Sequence, residues 1–206
     1  MFDSFFSAFD RLGERGYAII DGFLSPDQIE QLLQRFDVLA AAGAFDKAGI
    51  GKLQHHNVDR AIRGDYIHWV EPTLHSQPQP EEKLVDTIRA LREWLNRHYF
   101  LALKDEELHL AYYPPGTFYK RHTDQFKQQQ HRVLSVVLYL NRGWQPEHGG
   151  ALRLYLPGEG TIEVEPLAGR LLVFRSHLEH EVLPTQVDRF SFTGWLLDQE
   201  LGVTFL

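Results

Sequence analysis

The sequence predicts an α+β fold in which helices of the first half support a double-sheet jelly roll built from the second half. Two observations carry this prediction. Apolar residues recur at helical spacing in two stretches of the first half, and from Glu107 onward the chain changes to short apolar or alternating runs separated by proline and glycine. Such a jelly roll, backed by helices on one sheet, is expected to leave the mouth of the other sheet open.

Two helices are predicted before the strands begin. The first spans about 26–42, because Ser25 offers a capping hydroxyl, Pro26 suits the first helical position and Gln28 follows three residues after the cap. The second spans roughly 81–99, where an apolar stripe recurs along one face of an amphipathic helix. That stripe must cover another layer of the protein.

The strands are predicted from a series of short segments, which read LHLAYY, VLSVVLYL, ALRLYL, TIEVEP, RLLVF, HEVLP and RFSFTGWLL. Their spacing is that of an antiparallel sandwich or barrel, with turns at the Gly149-Gly150 and Pro157-Gly158 pairs. Internal repeats and long linkers are absent from the sequence. We therefore predict one domain, 1–206, in which 1–105 is mainly helical support and 106–200 is the jelly-roll core.

Composition excludes several classes of function. The 206 residues are 43% hydrophobic, and 28 acidic against 21 basic side chains give a net charge of −7. This lacks the basic excess that phosphate neutralisation needs, so no nucleic-acid partner is expected. A signal peptide and a long apolar segment are both absent, which predicts a cytoplasmic protein with no membrane partner, a monomer or weak oligomer. With no cysteine, a metal site must use histidine and carboxylate ligands.

One histidine–carboxylate pair has the spacing of a metal site. His122 and Asp124 lie in an extended stretch, where alternation places both on one side, although two polar residues on a solvated strand have the same pattern. His180 opens a later strand, and two histidines with one carboxylate form a facial triad that leaves three positions open on Fe(II). Arg189 follows nine residues after His180, where its guanidinium is suited to clamp a dicarboxylate.

These motifs together resemble the Fe(II)/2-oxoglutarate-dependent dioxygenases, and finer matches resemble the hypoxia-inducible-factor-type prolyl hydroxylases and their bacterial relatives. Residues 62–69, IRGDYIHW, are similar to the I-R-G-D-x-I-x-W segment of that family's mobile loop over the active site, which the resemblance places at about 56–70. Further matches follow in the family's order, namely Tyr113-Pro114, Tyr139-Leu140-Asn141, Gly149-Gly150, Glu165-Pro166, Arg170-Leu171-Leu172 and the run from His180 through Arg189 to Trp195. The likeness extends over about 16–198.

The resemblance implies a double-stranded β-helix (jelly-roll) core with an active-site loop in the first half. It makes His122, Asp124 and His180 the iron ligands and catalytic centre, Arg189 the partner of the 2-oxoglutarate C5 carboxylate, and Tyr139 a second hydrogen-bond donor to that carboxylate. The substrate-binding residues that it implies are Tyr113, Arg132, Trp195, Arg63, Asp65 and Trp69.

The implied activity is hydroxylation of a prolyl residue in a protein, of the prolyl 4-hydroxylase type, with Fe(II), 2-oxoglutarate and O₂, and with ascorbate in support. Succinate and CO₂ are the implied co-products, and the resemblance of bacterial relatives suggests elongation factor Tu as the protein partner. Two alternatives stay open: an oxygenase of a free amino acid or other small molecule, and a non-catalytic jelly-roll binding module. The stretch RSHLE before His180 is shorter than in the animal enzymes, and their long terminal extensions are missing, so the resemblance supports the iron chemistry more strongly than the choice of substrate.

Several polar residues fit either a functional or a structural role. His177 is a rival ligand that we interpret as a surface-loop residue, and His55-His56 resembles a metal pair whose adjacent side chains would point to opposite faces. His109 fits a pocket wall as well as a filled sheet face. The basic residues around the H-x-D motif fit a solvated edge or a rim that attracts a polar protein loop; they are Lys120, Arg121, Lys127 and Arg132.

Overall fold

The computed structural model describes residues 2–49, 62–70, 78–125 and 131–200. Its α-helices are α1 (Phe6–Arg15), α2 (Pro26–Ala41) and α3 (Pro80–Tyr99), and short 3₁₀ turns span Phe2–Phe5 and Pro146–His148. In this described part of the chain, no helix is both long and apolar enough to cross a membrane.

The two predicted helices are confirmed, and local chemistry explains where they begin. At the start of α2, the Ser25 hydroxyl accepts a hydrogen bond from the Gln28 amide at 3.3 Å, and the Gln28 side chain accepts one from the Ser25 amide at 2.9 Å. Helix α3 begins one residue before the predicted start, with the Gln79 amide donating to Glu82 at 2.7 Å. Helix α1 was not predicted from the sequence.

The strands of the described residues form two antiparallel sheets. They are β1 Tyr17–Ile20, β2 Asp46–Lys47, β3 Tyr66–Trp69, β4 Asp105–Tyr113, β5 Tyr119–His122, β6 Arg132–Tyr139, β7 Leu152–Leu156, β8 Gly160–Val164, β9 Leu171–Arg175, β10 His180–Val182 and β11 Arg189–Leu197. The large sheet has the order β1-β9-β6-β11-β4-β3-β2, and the small sheet has the order β5-β10-β7-β8. The predicted jelly-roll fold is thus confirmed, while β1, β2 and β3 add strands from the first half to the large sheet.

Alternation of side chains gives the large sheet two different faces. One face packs against the helices, and its buried residues include Leu110, Leu138 and Phe192. The opposite side, which we call the inner face, is turned toward the small sheet, where Phe174 and Val137 pack against residues of β7 and β8. Both faces of the large sheet are therefore covered, and the site described below lies on the inner face.

The register of the large sheet orders the residues of the inner face from one end to the other. Arg189 at the start of β11 is opposite Tyr113 of β4, and near the other end Trp195 is opposite Glu107 of β4 and Ser135 of β6. Because inner-face residues recur every second position, these two ends are about 20 Å apart along the strands. One group of inner-face residues therefore lies around Arg189. Another group lies around Trp195, at the end of the inner face that we call the mouth.

Gly194 marks a close approach of backbones within this sheet. It pairs with Leu108 of β4 and Val136 of β6, and a Cβ added to it would meet the Glu107 carbonyl oxygen at 1.9 Å. We expect Gly194→Ala to lower the free energy of unfolding by about 1–3 kcal/mol or more, because backbone must move to admit the methyl group. Urea denaturation would measure the change.

Gly13→Ala in α1 is the matched control, since an added Cβ meets nothing within 4 Å there. The methyl group is expected to stabilise the protein by about 0.4–1 kcal/mol by restricting the unfolded chain. Equal stability of the two variants would contradict the close approach of β4 and β11 at Gly194.

Candidate active site

The structure brings the three predicted iron ligands together on β5, an edge strand of the small sheet, on its neighbour β10 and on the segment that follows β5. His122 ends β5 directly opposite His180, which begins β10, and Asp124 follows two residues after β5. Their ligand atoms all lie within 4.8 Å of one another. His122 Nε2 is 3.7 Å from Asp124 Oδ1, and His180 Nε2 is 3.5 Å from Asp124 Oδ2.

Backbone carbonyls fix which nitrogen of each imidazole faces the cluster. His122 Nδ1 lies 2.7 Å from the Lys120 carbonyl oxygen, and His180 Nδ1 lies 3.0 Å from that of Leu178. A carbonyl only accepts, so each Nδ1 carries the proton and each Nε2 presents a lone pair. Burial lowers the pKa of His180 to about 4, against the opposing effect of Asp124, which keeps the imidazole in the neutral form that binds metals.

The carboxylate of Asp124 is also held in place. Ser135 of β6 donates a hydrogen bond to Asp124 Oδ2 at 2.6 Å, and the Ser176 hydroxyl lies 3.0 Å from that of Ser135. Burial by itself would raise the pKa of Asp124, but the neighbouring His180, His122 and Ser135 lower it well below its usual range. Two imidazole nitrogens and one ionised carboxylate thus converge from one side, which is the donor set of a facial Fe(II) site.

Ser135 offers a test of this support. Ser135→Ala is expected to weaken divalent-metal binding by about 10–100-fold, because the oriented carboxylate loses the partner that holds it. Titration of Co(II) into the protein, followed by its visible absorption, would measure the affinity. Thr123→Ala is the control: this exposed residue lies between two ligands in the chain, and unchanged affinity is expected. Equal affinity in the Ser135 variant and the wild type would show that the hydrogen bond does not orient the ligand.

Other residues that the sequence singled out lie away from this cluster. His177 is exposed, and within the described chain it is His180 that joins His122 and Asp124. Lys120 is exposed, and Arg121 donates to Glu179 with its guanidinium carbon 3.7 Å above the ring of Tyr155. The remaining ones lie outside the described residues: His55, His56 and Lys127.

Toward the end of the inner face where β11 pairs with Tyr113, Arg189 and Tyr139 are buried, and each has a polar atom without a hydrogen-bond partner among the described residues. Arg189 is 1% exposed, and its Nε donates to the Gly150 carbonyl oxygen at 2.9 Å. Among the described residues, neither Arg189 Nη2 nor the Tyr139 hydroxyl has a hydrogen-bond partner. The Arg189 guanidinium carbon lies 5.1 Å from the ring of Tyr139 and 5.0 Å from that of Tyr113. These unpaired donors fit a carboxylate of a bound dicarboxylic acid.

The chain around Arg189 explains its position. Asn141 pairs with the backbone of Phe190, accepting from its amide at 2.7 Å and donating to its carbonyl at 3.1 Å, which fixes the start of β11. Gly150 has φ +65°, and a Cβ there would lie 3.1 Å from Arg189 Cδ. Burial raises the pKa of Tyr139 to about 12, against the opposing charge of Arg189, so its hydroxyl keeps the proton that it would donate.

Aromatic and charged residues surround the mouth of the inner face. The Arg132 guanidinium carbon lies 3.4 Å over the ring of Trp195, and Nη2 and Nε of Arg132 donate to Glu107 Oε2 at 2.7 and 3.0 Å. Trp69 is 45% exposed, with its ring 6.3 Å from that of Trp195 and 4.8 Å from that of His109. The mouth therefore offers an apolar wall with a cation fixed against it.

Arg63 and Asp65 form an ion pair next to Tyr119, which contacts the predicted iron ligand His122. Arg63 donates to both carboxylate oxygens of Asp65 at 2.6 and 2.8 Å, and Asp65 is 2% exposed. The Arg63 guanidinium carbon is 4.6 Å from the ring of Tyr119, which stacks at 3.6 Å on His122. Asp65 thus holds Arg63 instead of offering a free charge, and 56–61 of the predicted loop lies outside the described residues.

Sequence reasoning did not assign roles to Ser135, Ser176 and Glu107. Each is a polar residue within or beside an apolar strand run, and that position was the available signal. Ser135 and Ser176 are buried, and Glu107 is half-buried. Their hydrogen-bond partners lie elsewhere in the sequence, so a polar residue in an apolar run does not reveal which residue it contacts.

Known proteins are similar to this chain in sequence and in fold. A family model described as the 2OG-Fe(II) oxygenase superfamily matches residues 108–197. Human prolyl hydroxylase EGLN3 is 29% identical over 210 residues, covering 92% of this chain and 81% of the human protein.

Two solved structures are similar over nearly the whole chain. The crystal structure of a Pseudomonas putida prolyl-4-hydroxylase has a TM-score of 0.82 and 37% identity, covering 94% of this chain and 98% of that one. The second is a Trichoplax adhaerens prolyl hydroxylase in complex with a peptide fragment of the hypoxia-inducible factor oxygen degradation domain. It has a TM-score of 0.82 and 28% identity, covering 93% of this chain and 87% of that one.

Proposed function

Since this chain belongs to the 2OG-Fe(II) oxygenase superfamily and is a 2-oxoglutarate-dependent dioxygenase, we propose that it hydroxylates a prolyl residue within a protein, as a prolyl 4-hydroxylase. One observation carries the proposal: the His122, Asp124 and His180 cluster, held to the inner face through Ser135, shares that face with Arg189 Nη2 and the Tyr139 hydroxyl, which have no hydrogen-bond partner among the described residues. The cofactors are Fe(II) and the co-substrate 2-oxoglutarate, with O₂ as the oxidant.

The roles of these residues follow from their donor atoms. His122, Asp124 and His180 would hold Fe(II), and Arg189 with Tyr139 would bind the C5 carboxylate of 2-oxoglutarate. When bound, iron and 2-oxoglutarate supply the oxidative chemistry that transfers one oxygen atom of O₂ to a substrate carbon and releases succinate and CO₂. The protein fixes the ligands through Ser135 and the two backbone carbonyls, and the buried end around Arg189 limits access of water.

The mouth supports a polypeptide substrate. Trp195 and Trp69 offer apolar surface on which a pyrrolidine ring packs, and Arg132, held by Glu107, and Tyr113 complete the proposed substrate contacts. The structure of the similar Trichoplax enzyme contains a peptide fragment of a hypoxia-inducible factor domain. We therefore favour a protein substrate for this chain. Elongation factor Tu is the proposed partner, on the sequence resemblance to bacterial relatives. The cytoplasmic location and the monomeric or weakly oligomeric state stay predictions.

Both alternative functions have features that argue against them. A small-molecule oxygenase would share the iron site and Arg189 but favours an enclosed pocket, whereas Trp69 at the mouth is 45% exposed. A non-catalytic binding module has no need of buried, unpaired donors at Arg189 and Tyr139 beside a complete ligand triad.

Mass spectrometry of candidate substrates tests the proposal. Elongation factor Tu, and synthetic peptides that together cover all its prolines, would be incubated with the protein, Fe(II), 2-oxoglutarate, O₂ and ascorbate. A gain of one oxygen atom on a prolyl residue is expected, and it should be lost when 2-oxoglutarate is omitted. If free proline is converted as efficiently as every prolyl peptide, the small-molecule alternative takes the place of this proposal.

The mouth residues give a second prediction on the same substrate. Trp69→Ala is expected to raise the KM for a prolyl peptide about tenfold, because the peptide loses a large apolar contact, while metal and 2-oxoglutarate affinities stay unchanged. Phe100→Ala is the control: Phe100 is 88% exposed at the end of α3, so its loss should not affect turnover. Equal KM values for both variants and the wild type would place the peptide elsewhere.

A further inference from the structure

His109 is a buried polar residue of the inner face to which no role has been assigned above. It lies on β4, opposite Trp69 of β3 and Thr193 of β11, and it is 2% exposed. Its ring centroid lies 4.8 Å from that of Trp69 and 5.4 Å from that of Trp195. It is thus enclosed by the two aromatic residues that form the wall of the mouth.

The Nδ1 atom of His109 is buried and has no hydrogen-bond partner among the described residues. Leaving such an atom unpaired costs about 1–3 kcal/mol, so native proteins usually satisfy it. The register places it one inner-face position from Trp195, in the direction of Arg189. A partner brought by a bound molecule would remove the cost.

The other polar side chains around His109 already have partners. Arg132 donates to Glu107 at 2.7 and 3.0 Å, Arg63 donates to Asp65, and the Thr193 hydroxyl donates to a backbone carbonyl at 2.9 Å. Within this group of described residues, His109 is the one with a buried nitrogen that is still unpaired.

The imidazole of His109 is neutral at physiological pH. Burial, together with the nearby positive charges of Arg63 and Arg132, lowers its pKa to about 3. A neutral imidazole has one N–H donor and one acceptor nitrogen. It is therefore suited to a hydrogen bond with an uncharged group and gives no ion pair.

We propose that His109 Nδ1 donates a hydrogen bond to a main-chain carbonyl oxygen of the substrate at or beside the target proline, which makes His109 a specificity-determining residue. A prolyl residue has no N–H, so its main chain offers only carbonyl acceptors and needs donors from the enzyme. The position between Trp69 and Trp195 puts this donor where a pyrrolidine ring would pack. The inference rests on the proposed prolyl hydroxylase function and names one contact of that site.

Two substitutions separate hydrogen bonding from shape. His109→Leu removes the donor and keeps an apolar side chain, whereas His109→Asn keeps an N–H near the position of Nδ1. The prolyl peptide identified by mass spectrometry would be titrated calorimetrically, without O₂, into protein loaded with Mn(II) and 2-oxoglutarate. We expect His109→Leu to raise the peptide Kd about tenfold, which corresponds to about 1.4 kcal/mol. His109→Asn should stay within about threefold of the wild type, and the Kd of 2-oxoglutarate should be unchanged in both.

Each other result overturns the inference in a recognisable way. A wild-type peptide Kd for a folded His109→Leu protein rules out the contact, and equal weakening by Leu and Asn shows that shape matters and the donor does not. A rise in the 2-oxoglutarate Kd, with the peptide Kd unchanged, assigns the hydrogen bond to the co-substrate carboxylate instead. If the wild type modifies no prolyl peptide at all, the proposed function itself fails. If it modifies a peptide and both variants bind that peptide normally, only this inference fails.

Discussion

His180→Ala is expected to abolish 2-oxoglutarate turnover, whereas His177→Ala should leave turnover nearly intact. The first substitution removes one of three protein ligands, and the buried position of His180 leaves no room for a surface side chain to replace it. His177, three residues earlier, is exposed. Succinate formation with Fe(II), 2-oxoglutarate and a prolyl peptide measures turnover, and Co(II) titration measures metal affinity independently.

Asp124→Ala extends the same test to the carboxylate ligand. Loss of both turnover and Co(II) affinity is expected, because the carboxylate contributes the one charged ligand and is ionised well below neutral pH. Thermal unfolding curves would separate metal loss from misfolding. If the effects of His177→Ala and His180→Ala were reversed, the ligand assignment would be wrong.

Much of the architecture could be predicted because its signals are local. The Ser25–Gln28 capping box places the start of α2 at Pro26, and alternating apolar runs mark β4 and β11. The iron cluster was predictable for another reason. Its residues lie in short motifs whose spacing the resemblance interprets, and the structure places His122 and His180 opposite each other on paired strands.

Elements that depend on a distant partner could not be predicted in the same way. Strand β1 is four residues long and is held by pairing with β9, and β3 is held by β4. Both segments contain residues typical of strands, but each is only four residues long, which is too short for its pattern to predict a strand or its partner. The same reason explains Asp65: the I-R-G-D motif shows a charge, but only the folded chain shows that Arg63 pairs with it and buries it.

Cross-strand register accounts for the site residues that sequence reasoning left undecided. His109 fitted a pocket wall or a filled sheet face equally well, because alternation tells that it shares a face with Tyr113 but not which residues lie across the gap. Pairing of β4 with β3 and β11 places Trp69 and Trp195 around it. The hydrogen bond from Ser135 to Asp124 joins β6 of the large sheet to the segment after β5 of the small sheet, so it depends on how the two sheets face each other.

Arg189→Ala is expected to raise the concentration of 2-oxoglutarate required for turnover by about 30-fold or more, while metal binding is retained. A buried carboxylate that loses its charged partner costs about 2–5 kcal/mol, and each 1.36 kcal/mol is tenfold. The unpaired Nη2 of Arg189 is available for that carboxylate. Tyr139→Phe removes a neutral hydrogen bond, so a smaller loss of about 0.5–1.5 kcal/mol is expected.

Calorimetric titration of 2-oxoglutarate into Mn(II)-loaded protein would measure both losses directly. Arg142→Ala is the matched control, because this exposed arginine pairs with Glu30 on the protein surface. Its 2-oxoglutarate affinity should equal that of the wild type. Arg189→Ala also leaves the Gly150 carbonyl without a donor, so a lower melting temperature is expected alongside the affinity loss. Unchanged 2-oxoglutarate affinity in a folded Arg189→Ala protein would mean that the dicarboxylate binds elsewhere, because the substitution removes the guanidinium proposed to bind its C5 carboxylate.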